Sequence, residues 1–147
     1  NDTEYGSFTN APCASIVSKS PACSQDLSGQ RLDNAPRWTV NLGGEYRTVL
    51  DAFNGSELFL RLDSATRTGT NLAATLASDT YQDTYTLINF RLGLTPADGP
   101  WQATLWANNL ADEEFVVLAG RPSGHTDGLT QVQGLPRTFG LTLDWNF

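Results

Sequence analysis

The sequence has no methionine, a single histidine, two cysteines, and nine lysines and arginines against sixteen aspartates and glutamates. Its formal net charge of −7 argues against nucleic-acid binding, which requires a basic stripe. No apolar run approaches the eighteen or so residues of a membrane helix. Residues 1–4 lack the basic and apolar regions of a signal peptide. Because position 1 is also not methionine, we expect that a signal peptide or a larger N-terminal part has been removed.

The two cysteines, Cys13 and Cys23, are ten positions apart in a stretch rich in serine, alanine and proline. Two cysteines are too few for a zinc site, and His125 is distant in the sequence. We therefore expect no metal and no cofactor. A disulfide that closes a loop in an oxidising compartment is the favoured interpretation, with two free thiols as the alternative.

Strict alternation of apolar and polar residues is the dominant pattern, and it predicts β-strands and no helix. In each alternating segment one face is apolar, with Trp38, Tyr46, Trp101 and Trp145 towards the segment ends. The alternating segments are residues 38–47, 58–63, 86–94, 101–108 and 138–147, and residues 1–9 are a candidate for the frayed end of one further strand. The opposite face carries Asn41, Glu45, Arg47, Arg61, Asp63, Asn89, Arg91 and Asp144.

The connections between these segments alternate in length. Long polar stretches cover residues 10–36, 68–84 and 111–136, whereas residues 51–55 and 96–100 form short turns. Asn54-Gly55 is a strong hairpin signal, since both residues tolerate a positive φ. Short turns at one end and long loops at the other are typical of outer-membrane barrels. We therefore expect the three long loops to lie at the same end of the sheet and to carry any ligand contacts.

The pattern predicts an all-β chain, a curved antiparallel meander of about five to six strands. Segments of about ten alternating residues fit a tilted strand that crosses a bilayer, with its polar face towards a water-filled or plugged lumen. A soluble β-sandwich with one wet face would show the same alternation. The residue pattern alone leaves both architectures open.

The last fourteen residues, Gly134-Leu135-Pro136-Arg137-Thr138-Phe139-Gly140-Leu141-Thr142-Leu143-Asp144-Trp145-Asn146-Phe147, resemble the C-terminus of TonB-dependent receptors. In that family a Gly-x-Pro-Arg-Thr-aromatic-Gly segment opens the last strand, which ends on phenylalanine. The resemblance implies that Phe147, with Trp145 before it, is a signal for barrel assembly.

Two further segments are similar to the same family, in the same order. Residues 106–115 resemble its Asn-Leu-x-Asp-x-x-aromatic motif, and residues 27–38 resemble its Gly-x-x-Leu-x-x-Ala-Pro segment. The resemblance spans residues 27–147 and implies energised uptake of a scarce small molecule, such as an iron chelate, cobalamin or a glycan, across the bacterial outer membrane. The implied partners are outer-membrane lipid, a plug domain, the rest of the barrel and the TonB complex. Since five or six strands cannot close a barrel, we expect residues 1–147 to be the C-terminal part of a larger one.

No sequence motif for catalysis is present, so an enzyme is not expected. Ser123, His125 and Asp127 are too close in sequence to suggest a catalytic triad, whose members meet through the fold. The acidic run Asp112-Glu113-Glu114 is interpreted as the point where a strand leaves the membrane, in preference to a carboxylate or calcium site. The candidate ligand-binding residues are Arg61, Tyr81, Arg91, Trp106 and His125. The alternative functions are a soluble β-sandwich that binds carbohydrate or another ligand and, more remotely, a β-rich secreted hydrolase.

Overall fold

The computed structural model describes residues 2–13, 23–121 and 128–146. The regular structure of the described part of the chain consists of β-strands and of two 3-10 turns, at Asp51–Phe53 and Ser78–Thr80. No helix in it is long and apolar enough to cross a membrane. The strands are Ala11–Pro12 (β1), Ser24–Gln25 (β2), Thr39–Leu50 (β3), Ser56–Arg67 (β4), Thr70–Asn71 (β5), Tyr81–Gln82 (β6), Tyr85–Thr95 (β7), Trp101–Asn108 (β8), Val116–Gly120 (β9), Thr130–Gln133 (β10) and Thr138–Trp145 (β11).

The five long strands form one sheet in the order β11-β8-β7-β4-β3. This order is a meander, since each strand pairs with the next long strand in the chain. Three two-stranded sheets lie within the long connections and pair β1 with β2, β5 with β6, and β9 with β10. The predicted all-β antiparallel meander is confirmed, and β4 extends further than the alternation of residues 58–63 indicated.

The register of the sheet separates an apolar face from a polar face. Leu105 of β8 lies opposite Leu92 of β7 and Leu141 of β11, whereas Trp106 lies opposite Arg91. Successive side chains of a strand point to opposite faces. Leu141 and Arg91 are therefore on different faces, as the sequence predicted.

Contacts at two glycines show which residues of β3 and β4 lie on the polar face. A Cβ at Gly93 would overlap the ring of Phe59, and a Cβ at Gly43 would lie 2.7 Å from Oδ1 of Asp63. Phe59 therefore shares a face with Gly93, and Asp63 shares one with Gly43. The odd-numbered residues of β3 and β4 accordingly lie on the face of Arg91, and the even-numbered residues lie on the face of Leu105.

The apolar face has no protein cover among the described residues. Leu42 is 67% exposed, Leu143 is 70% exposed and Phe139 is 80% exposed. No large side chain of the described residues is fully buried, and the buried apolar residues are Ala11, Leu27, Leu72, Ala77, Ala107 and Ala119. Within the described residues, the five-stranded sheet therefore has no large buried side chain that would form a core on this face.

The first short turn has the backbone that its sequence predicts. A single 3-10 turn follows β3, and Asn54 and Gly55 then adopt φ values of 58° and 74°. The hairpin closes with a hydrogen bond of 3.2 Å from the Gly55 amide to the Leu50 carbonyl. These left-handed conformations are the reason that asparagine and glycine occur here.

The described chain divides into two compact units. One, called the loop unit below, contains Asn1–Thr39, Arg67–Tyr85 and Glu114–Gly134, and the other contains most of the five-stranded sheet. The three long connections thus belong to one compact unit, and their location at one end of the sheet stays a prediction. The candidate strand at residues 1–9 is not formed among the described residues 2–9, where Glu4 makes only an isolated bridge with Arg31. Tyr5 instead exchanges irregular backbone hydrogen bonds with Gly29 and Gln30, at 2.7 and 2.8 Å.

Candidate ligand-binding surfaces

Arg47 and Arg61, on the polar face of β3 and β4, are already paired with carboxylates. Arg47 binds Glu45 and Glu57, each at 2.6 Å, and Arg61 binds Asp63 at 2.8 Å, with Glu45 at 3.8 Å. All of these side chains are about a third or more exposed, so the pairs add little to stability. They do neutralise Arg61, which weakens its candidacy as a site for an anionic ligand.

A recess of about 360 Å³ lies on the polar face and is called the sheet recess below. It brings together Arg91 and Trp106, two of the predicted ligand-binding residues. The indole Nε1 of Trp106 donates a hydrogen bond of 3.2 Å to Thr142, and a Cβ at Gly140 would overlap the indole ring. Glycine at position 140 thus allows the ring to lie against β11. The recess is lined by Arg91, Thr104, Trp106, Asn108 and Thr142.

Arg91 differs from the other arginines of the sheet. Within the described residues, it makes no hydrogen bond and no ion pair, whereas Arg47 and Arg61 each contact two carboxylates. A guanidinium presents five donors in a planar fork that matches carboxylates and phosphates. The sheet recess therefore combines a cation, an aromatic ring and hydroxyl groups, which suits a polar or anionic small molecule.

A second recess, of about 310 Å³, lies in the loop unit and contains the predicted residue Tyr81. It is called the loop recess below. Tyr81 is 54% exposed, and its hydroxyl lies against the Cα of Gly69, where a Cβ would overlap it. The described lining consists of Gln30, Arg31, Leu32, Ala35, Gly69, Thr70, Asn71, Leu76 and Tyr81.

Asn71 fixes the shape of the loop that carries Tyr81. Its side-chain oxygen accepts hydrogen bonds from the Ala73 amide at 3.1 Å and from the Thr80 hydroxyl at 2.7 Å. Its side-chain nitrogen donates to the Ala77 carbonyl at 2.8 Å, and its own carbonyl accepts from the Asn34 amide at 2.8 Å. One asparagine thus holds together both sides of the turn between β5 and β6.

Polar contacts also hold the segment that precedes the loop recess. The Tyr5 hydroxyl donates a hydrogen bond of 2.9 Å to Asp33. Burial raises the pKa of Tyr5, and this hydrogen bond raises it further. The Ser28 side chain and amide hydrogen-bond the carboxylate of Asp26 and lower the pKa of that group. Polar side-chain contacts therefore help to hold this segment in place.

Two residues whose roles were not predicted join the segments that resemble the receptor family. Asn109, only 5% exposed, donates to the carbonyls of Glu113 and Leu135 at 2.9 and 3.2 Å and accepts from the Glu113 amide at 2.8 Å. Asp112 accepts from the Arg137 amide at 2.9 Å and lies 3.5 Å from its guanidinium. Asn109 and Asp112 have φ values of 50° and 58°. The sequence signal was present, because asparagine and aspartate tolerate this left-handed conformation best.

The aromatic residue of the same motif is also structural. Phe115 stacks on Tyr85 with ring centroids 4.6 Å apart, and a Cβ at Gly134 would overlap the Phe115 ring. The Gly134 amide donates a hydrogen bond of 2.8 Å to the Phe115 carbonyl. The two C-terminal motifs are therefore parts of one contact network. The acidic run is partly structural, since Asp112 orients the start of β11.

The remaining predicted residues are placed as follows. Cys13 and Cys23 form a disulfide with Cα atoms 5.6 Å apart. Trp145 ends β11 opposite Trp101, and it is 59% exposed. His125 with its neighbours Ser123 and Asp127, and the terminal Phe147, lie outside the described residues. Tyr81 lies in the loop recess, while Arg91 and Trp106 share the sheet recess, which Arg61 does not line.

Comparison with known proteins identifies a family. Residues 5–110 match the family described as TonB dependent receptor-like, beta-barrel. The match covers most of the chain and includes the first four long strands of the sheet. No match was found among the curated proteins or the solved structures.

Proposed function

We propose, from the premise that this chain belongs to the TonB-dependent receptor-like β-barrel family, that it forms part of the wall of a receptor that takes up a scarce small molecule. Family membership places the chain in the bacterial outer membrane and assigns it to transport and not to catalysis. The proposed ligands are an iron chelate, cobalamin or a glycan. The TonB complex of the inner membrane is the proposed source of energy.

The uncovered apolar face is the observation that carries this proposal. Phe139, Leu141 and Leu143 of β11 are each more than half exposed, and each would gain about 1.5–3 kcal/mol on transfer from water to an apolar environment. A soluble β-sandwich would bury this face beneath a second sheet. Lipid is the apolar environment that an outer-membrane protein offers instead.

Additional strands are proposed to complete the barrel. In the five-stranded sheet, β3 and β11 each have one strand neighbour. An open sheet edge in hydrocarbon leaves unpaired backbone groups that cost several kcal/mol each. We assign the pairing of these edges to the remainder of the barrel, and the space next to the polar face to a plug domain and the passing ligand.

The two recesses are the proposed ligand contacts. Arg91 and Trp106 would contact the ligand from the lumen wall, and Tyr81 would contact it in the long loops. Arg91, which makes no hydrogen bond or ion pair within the described residues, is a stronger candidate for this role than Arg61, which binds Asp63. His125, which occurs in the polar stretch of residues 111–136, is retained as a proposed contact.

Phe147, with Trp145, is proposed to be the assembly signal. As a packing residue alone, Phe147 at a chain end would contribute at most a few kcal/mol. Phe147→Ala is therefore expected to lower the amount of receptor in the outer membrane far more than it lowers the thermal stability of the assembled fraction. A normal yield in outer-membrane fractions would contradict the assignment.

Uptake itself is tested in cells that produce the receptor with or without a functional TonB complex. Labelled iron chelates, cobalamin and oligosaccharides are supplied one at a time, and accumulation is measured against cells without the receptor. We expect one ligand class to accumulate only when the receptor and the TonB complex are both present. Accumulation that is independent of the TonB complex would overturn the proposed energy source.

A further inference from the structure

Two arginines on the polar face lie directly opposite each other on neighbouring strands. The register of β4 against β7 follows from two contacts, a hydrogen bond of 2.9 Å between Thr66 and Thr86 and a Phe59 ring that occupies the Cβ position of Gly93. Residue numbers rise along one antiparallel strand as they fall along its partner, so both contacts place Arg61 opposite Arg91. Like charges in such a pair destabilise a sheet unless they are compensated.

The sheet compensates these two arginines unequally. Arg61 donates hydrogen bonds to both carboxylate oxygens of Asp63, at 2.8 and 3.0 Å, and lies 3.8 Å from Glu45. Asp63 also attracts Arg91 electrostatically, but it makes no hydrogen bond or ion pair with that residue. Within the described residues, Arg91 therefore keeps the donors of its guanidinium unused. An anion bound to Arg91 would remove the repulsion between the two arginines.

The sheet recess adjoins Arg91 on the side away from Arg61, since Trp106 of β8 is its partner there. Arg91 is the charged residue of the described lining, which contains no acidic side chain. The other described lining residues are Thr104, Trp106, Asn108 and Thr142. The volume of about 360 Å³ is within the range of small-molecule sites, about 300–1,000 Å³. An anionic group of a small molecule therefore has room beside the guanidinium.

The lining matches a carboxylate better than a phosphate ester. One guanidinium binds one carboxylate through two parallel hydrogen bonds. A phosphate ester carries about two negative charges at neutral pH, whereas the described lining offers one cation. Trp106 is half-buried, and its indole nitrogen already donates to Thr142, so the carbon atoms of its ring are what it offers to a ligand.

We infer that the sheet recess binds a small molecule through a single carboxylate, which pairs with Arg91 while the carbon skeleton of the ligand lies against Trp106. This inference rests on the proposed receptor function and specifies the ligand class at the lumen wall. An aspartate or glutamate in the remainder of the receptor is the other source of the same carboxylate. The open volume beside Arg91 favours the small molecule.

The inference is tested by equilibrium binding to the complete receptor, purified in detergent, with benzoate as the probe and benzamide as its neutral match in shape. We expect benzoate to bind about tenfold or more tightly than benzamide, since a hydrogen bond to a charged group contributes that much. Arg91→Gln should abolish this difference. Trp106→Ala should weaken the binding of both compounds, because each has the same ring.

Arg137→Gln is the control for net charge, because it removes the same charge from a residue outside the described lining, one that lies 3.5 Å from Asp112. It should leave the preference for benzoate unchanged. Equal binding of the two compounds, binding of neither, or equal effects of Arg137→Gln and Arg91→Gln would overturn the inference.

The stability of the Arg91→Gln receptor separates the two sources of the carboxylate. In denaturant unfolding from lipid vesicles without ligand, we expect this variant to be as stable as the wild type or more stable, since it removes a like-charge pair. A clear loss of stability would assign Arg91 to a carboxylate in the rest of the receptor and would overturn the inference. Outer-membrane insertion and TonB-dependent uptake are measured separately, so a receptor that transports its ligand but does not prefer benzoate refutes this inference alone.

Discussion

Leu105→Arg tests the assignment of the apolar face to lipid. Leu105 lies in the middle of β8, is 53% exposed, and is flanked by Leu92 and Leu141 on the neighbouring strands. If this face meets lipid, an arginine near the bilayer centre costs about 2–4 kcal/mol. If it meets water, a surface substitution changes stability by about 0.5 kcal/mol or less. The two outcomes differ by about a factor of ten or more in the folding equilibrium constant.

Thr104→Arg is the matched control, since Thr104 is the adjacent residue of β8 and lies on the polar face. Both variants add the same side chain to the same strand, and only the face differs. The complete receptor is folded into lipid vesicles and unfolded with denaturant, and the two free energies of unfolding are compared with that of the wild type. We expect a large loss for Leu105→Arg and a small change for Thr104→Arg. Equal losses, or a neutral Leu105→Arg, would refute the face assignment.

Three further predictions concern the sheet, its C-terminal junction and the loop unit. Gly93→Ala should destabilise the receptor by about 1–3 kcal/mol in a denaturant titration, because the new methyl group overlaps the Phe59 ring. Gly44→Ala is the control and should be near neutral, since nothing lies within 4 Å of its Cβ position. Equal losses of stability in the two variants would refute this prediction. Asn109→Ala should lower the free energy of unfolding by about 2–4 kcal/mol, since it leaves buried backbone groups without hydrogen bonds and places alanine at a positive φ. Asn108→Ala, at the exposed neighbouring residue, should lower it much less. Equal stability of the two variants would contradict the proposed junction. Tyr5 should ionise above the ordinary tyrosine range in a spectroscopic titration. Its folded-state pKa is raised, so its contribution to stability is present below pH about 10 and lost as the pH rises through that pKa; an ordinary titration would show that the phenol is not buried.

The long strands could be predicted because each alternates over a continuous segment. Period-two alternation is a property of neighbouring residues, and it placed Arg91 and Leu141 on opposite faces without knowledge of the fold. The extension of β4 to Arg67 was missed because Ser64, Ala65 and Thr66 are small and give no apolar contrast. Its pairing is instead supported by a hydrogen bond of 2.9 Å between Thr66 and Thr86.

The internal order of the long loops could not be predicted from periodicity. The turn between β5 and β6, for example, is held by Asn71, whose side-chain partners are local but not periodic. The sheet recess was anticipated in part, since Arg91 and Trp106 were both predicted to be ligand-binding residues. Their direct opposition across β7 and β8 depends on register, which the sequence of one strand does not specify. The contact of Arg61 with Glu45 likewise depends on register, whereas Asp63 lies two residues further along the same strand and on the same face.

The most direct test of the account compares two tryptophans on opposite faces of the sheet. Receptors that retain only Trp145 or only Trp106 are folded into vesicles, and their fluorescence is quenched either by brominated lipid chains or by a water-soluble quencher. The account predicts that brominated lipid quenches Trp145 and spares Trp106, and that the water-soluble quencher acts more strongly on Trp106. Quenching of Trp106 by lipid, with Trp145 unaffected, would contradict the membrane assignment of this sheet.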